Sequence, residues 1–246
     1  MKSPFFGLAA GLTAASIWGG MYVVSKVVLE VIPPFSLVTL RLLLGILALY
    51  GVVALRKRPR PSQRQILGIF GVGFIGYGVS ISLQFVGTRL STASNGALLT
   101  SATPAFVLLF AAFLLGEKIT RRKLLALSIA TLGVLIVIDP RQAQLSPGLF
   151  WGNVCLVMAG ITWALYSVLV RKVTRTTDVL TISLIAFAGG LPISAPMGAW
   201  EMATQGHGAI TVGIIGGVLF LGIIATALAV YLWNSAFAIL DAGIAS

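Results

Sequence analysis

The strongest constraint on this chain is its series of apolar runs about 20 residues long, each bounded by basic residues, proline or glycine. A helix of roughly 20 apolar residues crosses the hydrocarbon core of a bilayer. Hydrophobic residues make up 58% of the chain and charged residues only 9%, so a soluble fold is not expected. The runs predict eight spans, near residues 5–25, 34–55, 66–87, 93–115, 124–138, 148–170, 179–200 and 210–240.

The pattern within these runs favours helices over strands. No run shows the two-residue alternation of an outer-membrane barrel, and the chain has 28 glycines, which allow close packing of membrane helices. The sequence therefore predicts an all-α, polytopic membrane protein whose immediate partner is the lipid bilayer.

The charge of the connecting loops indicates the orientation. Twelve basic residues fall in alternate loops: Arg56, Lys57, Arg58, Arg60, Arg64, Lys118, Arg121, Arg122, Lys123, Arg171, Lys172 and Arg175. The opposite loops carry only Lys26, Arg89 and Arg141. Because basic loops stay in the cytoplasm, the N-terminus is expected to be cytoplasmic in the inner (plasma) membrane. The basic residues form no face with interleaved aromatics, so no nucleic-acid partner is expected.

An internal repeat relates the two halves. A shift of 145 residues aligns Gly7 with Gly152, Ala14 with Ala159, Trp18 with Trp163 and Lys26 with Arg171, and a shift of 150 aligns 84–90 with 234–240. Five spans separate the equivalents, and since five is odd, the second copy enters the membrane inverted. The expected repeats are 1–139, with five helices, and 147–246, which looks truncated because two further spans would complete it. Chance similarity between small-residue helices is the alternative.

Arg41 is the most unusual polar residue within a span, because charges in hydrocarbon are costly and mark functional sites. It lies about 10 Å along the second span from the outer side. Either its side chain reaches the outer interface, or it is a fixed cation that holds a substrate carboxylate or pairs with helix carbonyls.

Other polar and aromatic residues recur at helical spacing and are candidates to line a substrate cavity. The candidate substrate-binding set is Trp18, Tyr22, Arg41, Tyr77, Ser80, Gln84, Asn95, Thr100, Trp163, Tyr166, Tyr231 and Asn234. Interhelical hydrogen bonds are an equally reasonable use for the amides and hydroxyls, and interfacial belts are one for the aromatics. Pro104, which lacks an N–H, is expected to loosen one turn of the fourth span.

The residues that are scarce also bear on mechanism. The six acids, Glu30, Glu117, Asp139, Asp178, Glu201 and Asp241, fall at span ends or in loops, so a proton relay through a buried carboxylate is not expected. One cysteine, Cys155, and one histidine, His207, offer no metal site or catalytic triad. No enzyme activity, cofactor or metal is therefore expected. Gly71, Gly73, Gly76 and Gly78 imitate a dinucleotide fingerprint but lie inside a span, where helix contact is the better interpretation.

Several short segments resemble the EamA-type family of the drug/metabolite transporter superfamily. They are Ser91-Thr-Ala-Ser-Asn-Gly-Ala, Thr103-Pro104 continuing to Leu115-Gly116-Glu117, Trp18-Gly19, Arg41 and Trp163-Ala164. The resemblance implies ten helices in two inverted five-helix repeats that move small metabolites, often exporting amino acids, by alternating access. A non-transporting scaffold or half of a split transporter is the alternative, and a homodimer is left open.

Overall fold

The computed structural model describes residues 4–55, 61–137, 146–241 and 244. The described residues form eight helices: α1 Pro4–Leu29, α2 Pro34–Ala54, α3 Gln63–Leu90, α4 Ala93–Leu115, α5 Arg121–Val137, α6 Pro147–Val173, α7 Val179–Thr204 and α8 Val212–Ile239. The described residues include no strand. Arg56, Lys57, Arg58, Arg60, Asp139 and Arg141 lie outside them.

Seven of these helices are long and apolar enough to cross a membrane, and α5 is 17 residues long in its described part. Large apolar side chains cover their outward faces; Leu12, for example, is 71% exposed and Phe113 is 78% exposed. Exposed apolar surface on helices of this length is typical of a protein that lies in a membrane. The prediction of a multi-pass, all-α membrane protein is confirmed.

Local sequence signals explain where the helices begin. Ser62 accepts a hydrogen bond from the Gln65 backbone N–H at the start of α3, and the Gln65 side chain accepts one from the Ser62 backbone in return. Thr211 accepts a hydrogen bond from the Ile214 backbone N–H at the start of α8. These caps satisfy N–H groups that the first helical turn cannot pair internally. The equivalent helices α3 and α8 therefore both begin with an N-cap hydroxyl that accepts a backbone hydrogen bond.

The fourth span is interrupted as its proline predicts. Its helix runs from Ala93 to Thr100, turns at residues 101–102 and resumes from Thr103 to Leu115, with Pro104 in the first turn of the second part. A proline is tolerated there because first-turn N–H groups have no helical partner. At the break the Thr103 hydroxyl donates to the Thr100 carbonyl at 2.6 Å.

Contacts at the helix ends show that the two repeats run in opposite directions. Gly7, near the start of α1, packs on Leu240 after the end of α8, and Gly152, near the start of α6, packs on Leu90 at the end of α3. Lys26, near the end of α1, also lies at the end of α3. The end of α1 and the start of α6 therefore share one side of the protein, so these equivalent helices are antiparallel.

The equivalent cations Lys26 and Arg171 have equivalent roles. Lys26 Nζ donates to the carbonyl oxygens of Thr88, Arg89 and Ser91 at 3.0, 3.2 and 2.7 Å. Arg171 donates through Nη1 to the Phe237 carbonyl at 3.0 Å and through Nη2 to the Asp241 carboxylate at 2.9 Å. Each cation thus binds the C-terminal end of the third helix of its own repeat, where the helix dipole favours positive charge.

Two acids bind partners that the sequence did not predict. Glu117 pairs with Lys123 at 2.9 Å and with Arg171 at 3.3 Å, so it joins the two repeats at the predicted cytoplasmic face. Glu201, expected beyond the end of its span, lies inside α7 and is 4% exposed. It accepts hydrogen bonds from the backbone N–H and hydroxyl of Ser36 at 2.9 and 3.1 Å, which anchors the start of α2.

The glycines of α3 mostly serve helix contact. Gly73 lies against the backbone of Ala186, Gly76 lies against the ring of Tyr166, and Gly78 is close to α7. Gly71 faces open space instead, which corrects its interpretation as a contact point. A side chain at Gly73 or Gly76 would separate α3 from the second repeat.

Candidate functional site

A cavity of about 450 Å³ lies between the two repeats. Its lining comes from α1 to α6 and α8, and most of the side chains in it are apolar. Ligand sites for small molecules are commonly concave, mainly apolar and of this size, with a few polar groups. Eight of the twelve candidate residues line it: Trp18, Tyr22, Arg41, Tyr77, Ser80, Gln84, Thr100 and Trp163.

Arg41 contributes a positive charge to the lining. It is 4% exposed, so the alternative in which its side chain reaches the outer interface is wrong. Its Nε donates to the Leu221 carbonyl at 3.2 Å and to the Thr226 hydroxyl at 3.1 Å, and Nη2 lies 3.6 Å from the Met21 sulfur. The guanidinium carbon lies 4.6 Å from the centre of the Phe85 ring. No acid among the described residues forms an ion pair with Arg41.

Two π-helical segments, Phe74–Ser80 in α3 and Phe220–Leu228 in α8, occupy equivalent places beside the cavity. A π-helical turn is wider than an α-helical one and is frequent at functional sites. In the π-helical segment of α8, the Leu221 carbonyl accepts a hydrogen bond from Arg41. The Ala225 carbonyl accepts one from the Trp18 indole N–H at 2.8 Å. The irregular backbone thus binds side chains that line the cavity.

A directed chain of hydrogen bonds joins three lining residues from α3, α1 and α4. Gln84 Nε2 donates to the Tyr22 hydroxyl at 2.6 Å, which contacts the Thr100 hydroxyl at 2.7 Å. Thr100 donates in turn to the Gly96 carbonyl at 2.6 Å. The Gln84 amide is therefore held in one orientation, and its Oε1 has no partner in the described part of the chain.

Aromatic rings form the centre of the site. Trp18 and Trp163, which are equivalent in the two repeats, meet edge to face with their ring centres 5.6 Å apart. Trp233 lies 5.1 Å from Trp18, and Tyr77 lies 5.8 Å from Trp163. Edge-to-face pairs are stabilising beyond the area that they bury. The cavity therefore has a rigid aromatic wall close to the axis that relates the repeats.

The remaining four candidates do not line the cavity. Tyr166 and Asn234 are buried behind it, where Tyr166 contacts the Tyr77 hydroxyl at 2.7 Å and donates to Asn234 at 3.1 Å, and Asn234 donates to Ser183 at 3.0 Å. This network joins α3, α6, α7 and α8. The structure thus places both side chains in the packing role that the sequence left open for amides and hydroxyls.

Asn95 and Tyr231 also lie elsewhere. Asn95 Nδ2 lies 3.0 Å from the Ser91 hydroxyl and 2.9 Å from Asn153 Oδ1, in a buried cluster that joins the N-terminal ends of α4 and α6. Tyr231 is partly buried and packs against the core. Neither side chain belongs to the cavity lining.

Sequence reasoning missed several lining residues, among them Met21, Thr226 and Trp233. Thr226 had a usable signal, because it is a hydroxyl residue in the middle of a strongly apolar span. Trp233 is adjacent to the candidate Asn234, and the true lining position is one residue away from the predicted one. Met21 carried no signal, since an apolar residue in an apolar span indicates nothing about a cavity.

Comparison with known proteins gives consistent results. Residues 5–139 and 150–246 match the model described as the EamA-like transporter family. The uncharacterized transporter YetK of Bacillus subtilis is 26% identical over 243 residues, which cover 97% of this chain and 74% of YetK. An uncharacterized transporter of Archaeoglobus fulgidus is 28% identical over 176 residues, covering 71% of this chain and 60% of that protein.

Two further comparisons concern location and fold. The uncharacterized inner membrane transporter YedA of Escherichia coli is 26% identical over 203 residues, which cover 82% of this chain and 64% of YedA. A protein of known crystal structure matches with a TM-score of 0.74 and 19% identity over 97% of this chain and 81% of that protein, so the two share a fold. The chain spans about three fifths to three quarters of the length of the three named transporters.

Proposed function

Because the chain belongs to the EamA-like transporter family, we propose that it is a secondary transporter that exports amino acids or related small metabolites by alternating access. The observation that carries the proposal is the cavity between the repeats, lined by aromatic rings, hydroxyls, an amide and one cation. This lining suits a small solute that combines polar and apolar parts.

The packing of the two repeats supports the alternating-access part of the proposal. Inverted repeats allow a transporter to expose one midplane site to each side by exchanging the conformations of its halves. Here Gly7 with Leu240 and Gly152 with Leu90 form equivalent contacts at opposite sides of the protein. The same contact can therefore tighten at one side while it loosens at the other.

We place the protein in the inner membrane with a cytoplasmic N-terminus, since the basic residues concentrate in alternate loops. Coupling to protons is proposed to be absent or weak. The buried acid Glu201 is engaged by two donors of Ser36 near the end of α7, and it does not line the cavity. Flux that stops when only the pH gradient is removed contradicts this part of the proposal.

The test is efflux from proteoliposomes that contain the purified chain and are preloaded with a panel of amino acids. Protein-free liposomes and liposomes that contain a heat-denatured sample are the controls. We expect efflux of at least one amino acid, saturable with its concentration and absent from both controls. If correctly folded protein moves no member of the panel, the export proposal fails and a scaffold or split-transporter role is favoured.

A further inference from the structure

Two cavity-lining side chains each have a buried polar atom with no hydrogen-bond partner among the described residues: Nη1 of Arg41 and Oε1 of Gln84. Buried polar groups in native proteins are almost always paired, so each unpaired group calls for an explanation. One atom is a cationic donor and the other is a neutral acceptor. Together they match a ligand that has an anionic acceptor and a donor of its own.

The guanidinium of Arg41 is held in place and has no counter-ion among the residues that the structure describes. Its Nε is fixed by Leu221 and Thr226, and one face of the group lies over the Phe85 ring. Removing a charge from water is costly unless an opposite charge or strong hydrogen bonds compensate. A carboxylate is a small anion whose geometry matches a guanidinium through planar, charge-assisted hydrogen bonds.

The second repeat supplies no balancing group at the equivalent place. The offset of 145 residues that relates α2 to α7 makes Ala186 the equivalent of Arg41 in the second repeat, and Ala186 is fully buried. The positive charge therefore belongs to one side of the cavity only. One carboxylate places a single negative charge beside this single positive charge, whereas a doubly charged phosphate monoester brings more negative charge than the guanidinium balances.

Gln84 supplies a hydrogen-bond acceptor from the stretch of α3 that packs on Arg41. Its amide nitrogen is committed to Tyr22, so the free atom is the oxygen, which accepts from an N–H or O–H group. Phe85, the next residue in α3, is the ring beneath the Arg41 guanidinium. The Arg41 cation of α2 therefore lies against the stretch of α3 that carries the acceptor, and the apolar and aromatic lining is left for the rest of the ligand.

We propose that the cavity selects small carboxylates that carry an N–H or O–H donor next to the carboxylate, namely α-amino and α-hydroxy acids. Arg41 binds the carboxylate and Gln84 binds the neighbouring donor. The proposal rests on the proposed transport function for its biological meaning, but it concerns binding and can be tested without transport.

The first test uses the unmodified chain in lipid nanodiscs and follows tryptophan fluorescence, since Trp18, Trp163 and Trp233 line the cavity. The probes share one apolar body: leucine, its hydroxy analogue leucate, isocaproate without the donor, and leucinamide and isoamylamine without the carboxylate. We expect leucine and leucate to bind and the other three to bind at least about tenfold more weakly, because each lacks a partner of a charged or buried group. If isoamylamine binds as tightly as leucine, Arg41 does not bind the carboxylate. If isocaproate binds as tightly as leucine, Gln84 does not bind the neighbouring donor.

The second test compares ratios within each variant, so that partial loss of folded protein does not affect the result. In Arg41→Gln, the preference for leucine over isoamylamine is expected to fall about tenfold or more, and Arg41→Lys should restore part of it. In Gln84→Met, the preference for leucine over isocaproate is expected to fall. Arg89→Gln and Gln205→Leu, at the exposed outer rim, are the matched controls and should keep both ratios.

The outcomes separate this proposal from the proposed function. Selective binding without efflux supports the site and contradicts transport. Efflux that accepts amines or neutral amides as readily as leucine supports transport and overturns the site. Unchanged ratios in both Arg41→Gln and Gln84→Met also overturn it.

Discussion

A single added methyl group tests whether the repeats pack as closely as the structure shows. In Gly152→Ala, the new Cβ would lie 2.7 Å from the carbonyl carbon and 2.8 Å from the carbonyl oxygen of Leu90. Ordinary contact begins near 3.4 Å, so α3 and α6 have to separate by about 0.7 Å. Because the obstacle is backbone, no rotamer change relieves it. Overpacking of this kind costs about 1–3 kcal/mol.

Two other glycines provide graded comparisons. Gly7→Ala, at the equivalent position of the first repeat, meets the side chain of Leu240 at 2.9 Å, which can rotate away. Gly71→Ala meets nothing within 4 Å. All three changes gain the same helix propensity, so differences between them isolate the contact. The expected order of stability is Gly71→Ala highest, Gly7→Ala intermediate and Gly152→Ala lowest.

The assay is thermal unfolding of the purified variants in one detergent, followed by the loss of the monodisperse peak on size exclusion. A domain of this size loses roughly 2–4 °C in Tm per kcal/mol, so Gly152→Ala should unfold on the order of 5 °C below Gly71→Ala. The reasoning is refuted if Gly152→Ala is as stable as Gly71→Ala, because α3 and α6 then have room for a methyl group at this contact.

The other predictions concern the buried network, an anchor and the orientation. Asn234→Leu removes the hydrogen bonds that Asn234 accepts from Tyr166 and donates to Ser183, and it should cost about 1–3 kcal/mol in thermal stability, whereas a cost near zero shows that the network is not structural. Glu201→Gln keeps the shape of the group but loses its charge at the start of α2, so a smaller cost of about 0.3–1 kcal/mol is expected from the same measurement. In a Cys155→Ser background, His207→Cys should react with an impermeant thiol reagent from outside the cell, and Arg175→Cys should react only after permeabilisation. The reverse pattern would mean that the protein has the opposite orientation in the membrane.

Much of the fold could be predicted because bilayer thickness fixes the length of a span and the basic loops separate the spans. The break at Pro104 followed from a missing N–H, and the inverted repeat followed from the spacing of equivalents such as Trp18 and Trp163. Helix ends were less certain, since α7 continues to Thr204 and buries Glu201. A charged residue marks the end of an apolar run, but a helix can extend further where a neighbouring helix pairs the charge.

The site was harder to predict because helical spacing gives the face of a helix and not what that face meets. Gln84 and Asn234 are equivalent in the repeats, yet the first lines the cavity and the second is enclosed by Tyr166 and Ser183. The π-helical segments also shift the register of α3 and α8, and nothing in the local sequence signals them. The carbonyls of Leu221 and Ala225 in α8, which accept hydrogen bonds from Arg41 and Trp18, are backbone groups that side-chain patterns cannot reveal.

The structure separates what the repeats share from what distinguishes them. Gly45 of α2 lies against Phe187 and Thr226, and its equivalent Gly190 of α7 lies against Leu42 and Tyr77. Leu42 and Phe187 correspond at the offset of 145, and Tyr77 is one residue from the equivalent of Thr226 at the offset of 150, so the packing of α2 and α7 is nearly symmetric. The proposed alternating access requires such symmetry. The polar groups that face the cavity are not symmetric, because no cation occupies the position in α7 that corresponds to Arg41. A transporter that must open to both sides needs the first property, and one that must recognise an asymmetric solute needs the second.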